Sequence, residues 1–147
     1  MIEVATELRG ELGSALPRLR GFSEADVTHD RGPGKWIKKE ILGHLIDSAA
    51  NNHQRFVRAQ GADPFVGPGY DQRAWVAMHG YRDRPWTELV DVWAGLNDHL
   101  AHVIARVPRD RLGTRCVIGD NEPATLEWWM RDYVRHLRHH LAQLLGD

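Results

Sequence analysis

Residues 125–145, TLEWWMRDYVRHLRHHLAQLL, contain the pattern that decides the fold. Aromatic, apolar and imidazole side chains recur there every three or four residues, which is the spacing of one face of an α-helix. Arginines stand between them and fall on the other face. Thr125 can cap this helix at its start, and Gly146 can end it. The stretch therefore predicts an amphipathic helix with an inward stripe of Trp129, Tyr133, His136, His140 and Leu144.

Three earlier segments show the same helical period and are separated by glycine- and proline-rich breaks. They run from about residue 2 to 19, from 36 to 60 and from 85 to 107. Residues 61–84 form a long connection, with one short helix expected near 71–78, and the sequence around GDNE could form a small hairpin. Four amphipathic helices predict an all-α four-helix bundle with a long connection between helices two and three. That connection allows a crossover, so helices two and three need not be antiparallel neighbours.

The composition predicts one ordinary globular domain, residues 1–147, and excludes several classes of protein. A net charge of -1 gives no basic excess, so we expect no nucleic-acid partner. No long uncharged apolar run is present, so no membrane span is expected, and the acidic N-terminus does not resemble a secretory signal. The single Cys116 cannot form an internal disulfide. We therefore expect a cytoplasmic protein that acts on a small-molecule substrate.

Nine histidines and one cysteine direct any metal hypothesis toward imidazole ligands. His136 and His140 are four residues apart, so their rings project from one helix face and can converge on one ion. This spacing is weak evidence in a histidine-rich chain, but both residues lie on the inward stripe, where buried imidazoles need partners. Leu137 stands where the HExxH motif of metalloproteases has glutamate, so a metalloprotease is not predicted.

Helix two supplies the third candidate ligand, His44, which lies in the apolar stretch ILGHLIDSA. Taken alone, such a histidine is more often a hydrogen-bonded core residue, and that alternative stays open. Bundles build metal sites from facing helices, and three imidazoles leave positions for water or substrate. Asp47 is a candidate catalytic base or partner of a ligand histidine, and Asn51 and Arg55 could bind substrate. Asp47 and Arg55 could equally form ordinary ion pairs.

Other polar residues are weaker candidates. On helix three, Leu96, Leu100 and Ile104 form the predicted inward face, so Asn97 and His99 are expected to point mostly outward. His29, His53 and His79 fall in loops or on polar faces, and Cys116 has no neighbouring base in the sequence that would activate its thiol.

Two stretches resemble a known family. KWIKKEILGHLIDSAANNHQRF, residues 35–56, and LEWWMRDYVRHLRHHLAQL, residues 126–144, resemble the second and last helices of the DinB-like (YfiT-like) superfamily of metalloenzymes. GYDQRAWV and YRDRPWTELVDVWAGLN also resemble segments of that family, so the resemblance extends over residues 35–145. It implies a four-helix bundle with a long connection between helices two and three. It also implies a metal site formed by His44, His136 and His140.

The resemblance further implies a divalent metal, with zinc or nickel first and iron or manganese as further candidates. Some relatives use a low-molecular-weight thiol such as bacillithiol or mycothiol, and homodimers are common among them. A metalloenzyme would activate water or a small thiol for attack on an electrophilic substrate, as a hydrolase or a thiol S-transferase. Candidate walls of its pocket are Trp36, Trp75 and Tyr133. The alternatives are a non-catalytic metal-binding or stress-related bundle, and a bundle whose histidines are merely hydrogen-bonded.

Overall fold

The computed structural model describes residues 1–146, and four long helices form most of it. They are α1 (Ile2–Arg20), α3 (Lys38–Arg58), α5 (Trp86–Arg106) and α6 (Leu126–Leu145). Two short helices lie in the connections, α2 (Glu24–Thr28) and α4 (Gln72–His79). The predicted all-α four-helix bundle is confirmed, with the long connection between its second and third long helices. None of the helices in the described part of the chain is both long and apolar enough to span a bilayer.

The long helices pack in a ring in the order α1, α5, α3, α6, with α6 returning against α1. The two ends of α1 show how it runs relative to its neighbours. Its end packs near the start of α5, whereas its start packs near the start of α6. The ion pairs that carry these contacts join Arg20 to Asp91, Arg9 to Asp98, Glu3 to Arg131 and Glu11 to Arg138. Helix α1 therefore runs antiparallel to α5 and parallel to α6.

Helices α3 and α5 are parallel neighbours. Near the start of α3, Lys39 Nζ donates a hydrogen bond of 2.7 Å to the carbonyl of Arg84, just before α5 begins. Further along both helices, the His53 and His99 rings lie 5.2 Å apart. Because the chain must return to the same end of the bundle before α5 begins, a long connection is required there. The crossover that the sequence allowed is present.

A three-stranded sheet crosses one end of the bundle. Strand β1 (Phe65–Gly67) lies in the long connection and pairs in parallel with β2 (Arg115–Ile118). Strand β2 pairs in the antiparallel sense with β3 (Ala124–Thr125), and this pair is the predicted hairpin around GDNE. Beyond the strands, Gly119 has φ +54, and a Cβ there would meet the Gly69 nitrogen at 2.9 Å. The sheet thus holds residues 69–72 against residues 119–121.

Helix α6 begins and ends where the sequence predicts. The Thr125 hydroxyl accepts a hydrogen bond of 3.2 Å from the Trp128 backbone nitrogen, which satisfies one of the free N–H groups of the first turn. Gly146 has φ +81, the left-handed conformation that ends many helices. These two ends fix the register in which the histidines of α6 meet α3.

Gly43 on α3 allows Tyr81 to pack directly against the helix backbone. A Cβ at Gly43 would lie 2.1 Å from Cδ2 of the Tyr81 ring, far inside van der Waals contact. Tyr81 is itself buried, so its ring has little room to move. The contact therefore places the Tyr81 hydroxyl one turn along α3, at Asp47.

Replacing Gly43 with alanine is expected to destabilise the fold by about 3 kcal/mol, because the added methyl group overpacks a buried contact. Gly10→Ala is the matched control, since Gly10 is also helical and a Cβ there meets nothing within 4 Å. The control is expected to gain about 0.5–1 kcal/mol from the better helix propensity of alanine. Urea unfolding measures both changes, and equal stabilities for the two variants would contradict the packing argument.

Candidate metal centre and adjoining cavities

Three histidines converge between α3 and α6. His136 and His140 stand one turn apart on α6, and His44 faces them from the antiparallel α3. The ring centroids lie 4.5 Å apart for His136 and His140, 4.7 Å for His44 and His140, and 5.1 Å for His44 and His136. One nitrogen from each ring lies within 4.8 Å of the other two. Among residues 1–146, this is the one group of histidine, cysteine and acidic side chains with such spacing.

One ring nitrogen of each histidine can offer a lone pair to an ion between the three rings. The Nε2 atoms of His44 and His136 lie 3.2 Å apart, so at most one of them carries a proton. On the third ring, His140 Nδ1 lies 3.1 Å from Gln143 Oε1, an oxygen that can only accept a hydrogen bond. That contact places the proton of His140 on Nδ1 and leaves a lone pair on Nε2, which is how proteins orient histidine ligands.

Burial keeps these imidazoles neutral. It lowers the pKa of His44 to about 3 and the pKa of His136 to about 4, and in each case neighbouring histidines lower it further. The pKa of His140 is also lowered, chiefly by burial. The Nδ1 atoms of His44 and His136 are buried and have no hydrogen-bond partner among residues 1–146. Hydrogen bonding therefore does not satisfy the cluster, whereas three neutral nitrogen donors suit a divalent ion of the zinc or nickel type.

A cavity of about 800 Å³ opens beside His136. Polar and aromatic side chains of α3, α6 and the long connection line it: Ser48, Asn52, Arg55, Tyr70, Trp129 and Tyr133. Residues 69–72 and 119–121, which the sheet holds together, form its other wall. A small molecule can therefore reach the edge of the histidine cluster.

The DinB superfamily model matches residues 7–144, nearly the whole chain. The chain belongs to the DinB superfamily. The resemblance seen in the two histidine-bearing stretches is thereby confirmed, and it extends further toward the N-terminus than those stretches indicated.

Two similar proteins match this DinB chain over almost its full length. A protein of Oceanobacillus iheyensis named "Putative metal-dependent hydrolase" is 22% identical over 143 residues, covering 97% of this chain and 79% of its own. The solved structure of YfiT from Bacillus subtilis matches with a TM-score of 0.80 and 21% identity, covering 99% of this chain and 82% of its own. Its description is "a probable metal-dependent hydrolase with an unusual four-helix bundle topology". At this identity the structural match shows the shared fold.

Asp47 lies in a buried network that the sequence did not reveal. Its Oδ1 accepts a hydrogen bond of 2.6 Å from the Tyr81 hydroxyl and lies 2.9 Å from His79 Nδ1. Its Oδ2 is buried and has no partner among residues 1–146. Burial raises the pKa of Asp47, and the Tyr81 hydrogen bond offsets part of that rise. Asp47 is therefore a partner of His79, and no hydrogen bond joins it to the histidine cluster within residues 1–146.

His79 ends α4 within the long connection, and no sequence spacing relates it to Asp47. Its ring is half-exposed and packs against Trp75, with centroids 5.7 Å apart. Only the folding of the connection onto α3 brings the two residues together.

Tyr133 lines the larger cavity with its ring, but its hydroxyl is used inside the protein. The hydroxyl donates a hydrogen bond to Asn97 Oδ1, and the Asn97 amide donates to the Trp93 carbonyl at 2.8 Å. The prediction that Asn97 points outward is wrong, since Asn97 is fully buried. Because α5 packs against both α1 and α3, its buried face is broader than the single apolar stripe that its sequence shows.

The remaining predicted substrate residues surround a second cavity of about 420 Å³. Asn51, Arg55 and Trp75 all line it, and it shares Arg55 and Tyr70 with the larger cavity. The Asn51 amide donates to the Asp47 carbonyl at 2.9 Å, and the Trp75 ring packs on Tyr70 with centroids 4.9 Å apart. Arg55 is thus the one predicted substrate residue that faces both cavities.

Trp36, the third predicted pocket wall, lies elsewhere. Its ring packs against the ring of His44, with centroids 5.2 Å apart, and the Arg73 guanidinium lies 5.8 Å from the Trp36 ring centroid. Trp36 therefore shields one side of His44, and it lines neither of the two cavities.

Proposed function

We propose that this chain is a metal-dependent hydrolase that holds one divalent ion, zinc or nickel, with His44, His136 and His140. The observation that carries the proposal is the convergence of three neutral imidazoles, one buried and two half-buried, beside a cavity. When bound, a divalent ion supplies Lewis acidity, which activates water near neutral pH and polarises an electrophilic substrate. The names of the two similar proteins refer to the same class of activity.

The donor set supports catalysis over metal storage. Three protein ligands leave positions for water and substrate, whereas a structural site is usually closed by a fourth protein ligand. Within residues 1–146, no carboxylate, thiol or fourth imidazole joins the cluster. The protein's own task at this site is to hold the three nitrogens in place and to keep them unprotonated, which burial accomplishes.

Asp47 is proposed to support proton transfer through His79. The carboxylate holds the N–H at His79 Nδ1, which leaves Nε2 of this half-exposed ring free to exchange protons. In hydrolysis, the water oxygen bonds to the electrophilic carbon and gives up a proton, the bond to the leaving group breaks, and the leaving group takes up a proton. Asp47 is thus proposed as a positioning residue for His79, whose half-exposed ring packs on the cavity residue Trp75.

The decisive experiment combines metal analysis with an isotope test. Protein purified without a histidine tag is stripped with a chelator and reloaded with zinc or nickel; close to one equivalent is expected to bind. The reloaded protein is assayed on a panel of activated esters and anilides in ¹⁸O-labelled water. We expect turnover only in the reloaded protein, with one labelled oxygen in the acid product.

Two outcomes would overturn the proposal. Protein that binds no ion after reloading would exclude the metal site. Product that forms only with an added small thiol, and that carries the thiol sulfur, would assign the site to a thiol S-transferase instead.

A further inference from the structure

Arg55 is a cation without a carboxylate partner in the described part of the chain. Among residues 1–146, its one hydrogen bond runs from Nη2 to the Pro68 carbonyl at 3.3 Å. The guanidinium lies 5.9 Å from the ring centroids of both Tyr70 and Trp129. A guanidinium has five N–H donors, so most of those on Arg55 have no protein acceptor. Such donors suit an anionic group of a ligand.

The surroundings of Arg55 strengthen its attraction for an anion. The side chain is half-buried, and desolvation lowers the pKa of its guanidinium. An arginine nevertheless stays protonated at any physiological pH. A partly dehydrated guanidinium binds a carboxylate more strongly than an exposed one, because less water must be displaced and the local dielectric constant is lower.

The two cavities that meet at Arg55 differ in charge. No acidic side chain of the described residues lines the smaller cavity. This cavity adds a second cation, Arg58, and the apolar side chains of Phe65, Val66 and Trp75. The larger cavity has acidic side chains on its wall: Asp71, Asp120 and Asp132. A singly charged carboxylate matches the fork of one guanidinium, and the aspartates, of which Asp132 is paired with Arg135, disfavour a further negative charge there.

We propose that the substrate is an organic carboxylate with an apolar group next to the carboxylate. Arg55 binds the carboxylate, the apolar group occupies the smaller cavity, and the bond to be cleaved extends through the larger cavity toward His136. Trp129, beside Arg55, and His136 are two helical turns apart, so the carboxylate and that bond are separated by on the order of 10 Å. The binding of the carboxylate by Arg55 does not depend on the proposed hydrolase activity. The placement of the cleaved bond near His136 rests on that activity.

Recognition of the carboxylate is tested on metal-free protein, so that an ion cannot bind the probe. The probes are 3-phenylpropanoate, 3-phenylpropanamide and 3-phenylpropan-1-amine, which share one apolar body and differ in charge. Isothermal titration is expected to give affinity for the carboxylate about tenfold or more above that for the amide, and weaker binding still for the amine. Arg55→Gln is expected to remove this preference. Arg55→Lys is expected to keep part of it, because the charge stays but the fork of donors is lost.

Arg9→Gln is the matched control, since it removes the same charge from α1, where Arg9 forms an exposed ion pair with Asp98 of α5, away from both cavities. It should leave all three affinities unchanged, and circular dichroism melting shows whether each variant is folded.

Equal affinity of the wild type for carboxylate and amide, or a preference that survives in Arg55→Gln, would overturn the proposal. Tighter binding of phenyl phosphate than of 3-phenylpropanoate would overturn the assignment to carboxylates. A clear carboxylate preference with no hydrolysis after metal loading would support carboxylate binding at Arg55 and contradict only the proposed hydrolase activity.

Discussion

Replacing His136 with alanine is expected to reduce the bound divalent ion from about one equivalent to almost none. His136 contributes one of three donors, and its Nε2 lies 3.2 Å from that of His44. Removing a partner that merely orients a ligand costs 10–100-fold in metal affinity, so removing a ligand should cost more than about 100-fold. The helices should persist, because the ring is only half-buried and its Nδ1 makes no hydrogen bond with residues 1–146. Metal analysis after dialysis, with circular dichroism alongside, measures both effects.

Variants of two neighbouring residues are expected to have smaller effects on metal binding than His136→Ala. His139→Ala removes an exposed ring that is next to His140 in sequence but outside the cluster, and metal content should stay unchanged. Gln143→Ala removes the acceptor at His140 Nδ1 and should weaken metal binding by about 10–100-fold without abolishing it. Full metal content in His136→Ala, or equal losses in His136→Ala and His139→Ala, would show that the ligand assignment is wrong.

Replacing Asp47 with asparagine is expected to stabilise the fold and to slow hydrolysis. Asp47 is a buried carboxylate with one oxygen that has no partner among residues 1–146, and removing its charge should stabilise the protein by about 1 kcal/mol at pH 7. The same change removes the charge that holds His79 in one tautomer. Loss of general acid–base assistance usually lowers rates by about 10²–10⁴-fold, so kcat should fall on that scale while metal content stays unchanged.

The pH dependence of the free energy of unfolding tests the burial of the Asp47 carboxylate, and the kinetics of a His79 variant test its role in proton transfer. Burial raises the pKa of Asp47 in the folded state, so between its ordinary value and the raised value the folded protein holds a proton that the unfolded chain has lost. The free energy of unfolding of the wild type therefore falls as pH rises through that interval, and Asp47→Asn should lack this fall. His79→Gln should slow hydrolysis about as much as Asp47→Asn. Unchanged kcat in both variants would remove the proton-transfer role from this pair.

Local patterns in the sequence were sufficient to predict the four long helices and α4, but not α2, and to suggest the histidine cluster as a hypothesis. Helix α6 follows from the 3.6-residue period, and its ends follow from Thr125 and Gly146, whose effects act within one turn. The predicted inward stripe is only partly right: Met130, Val134, Leu137 and Leu141 are buried, whereas Trp129, His136 and His140 are half-buried. His136 and His140 face the same way because of the same helical period. His44 could be proposed because a polar ring in an apolar stripe must find a partner in the core.

Tertiary structure decided what depends on contacts between distant segments. The assembly of the bundle brings Asn97 of α5 to the Tyr133 hydroxyl of α6, and the folded connection brings His79 and Tyr81 to Asp47. Strand β1 exists through pairing with β2, about fifty residues later in the chain, since three residues carry too little alternation to predict a strand. Helical period specifies which face a side chain occupies, but not which residue lies opposite. For that reason the sequence could suggest Arg55 as a substrate residue, but it could not place Arg55 between two cavities of different charge.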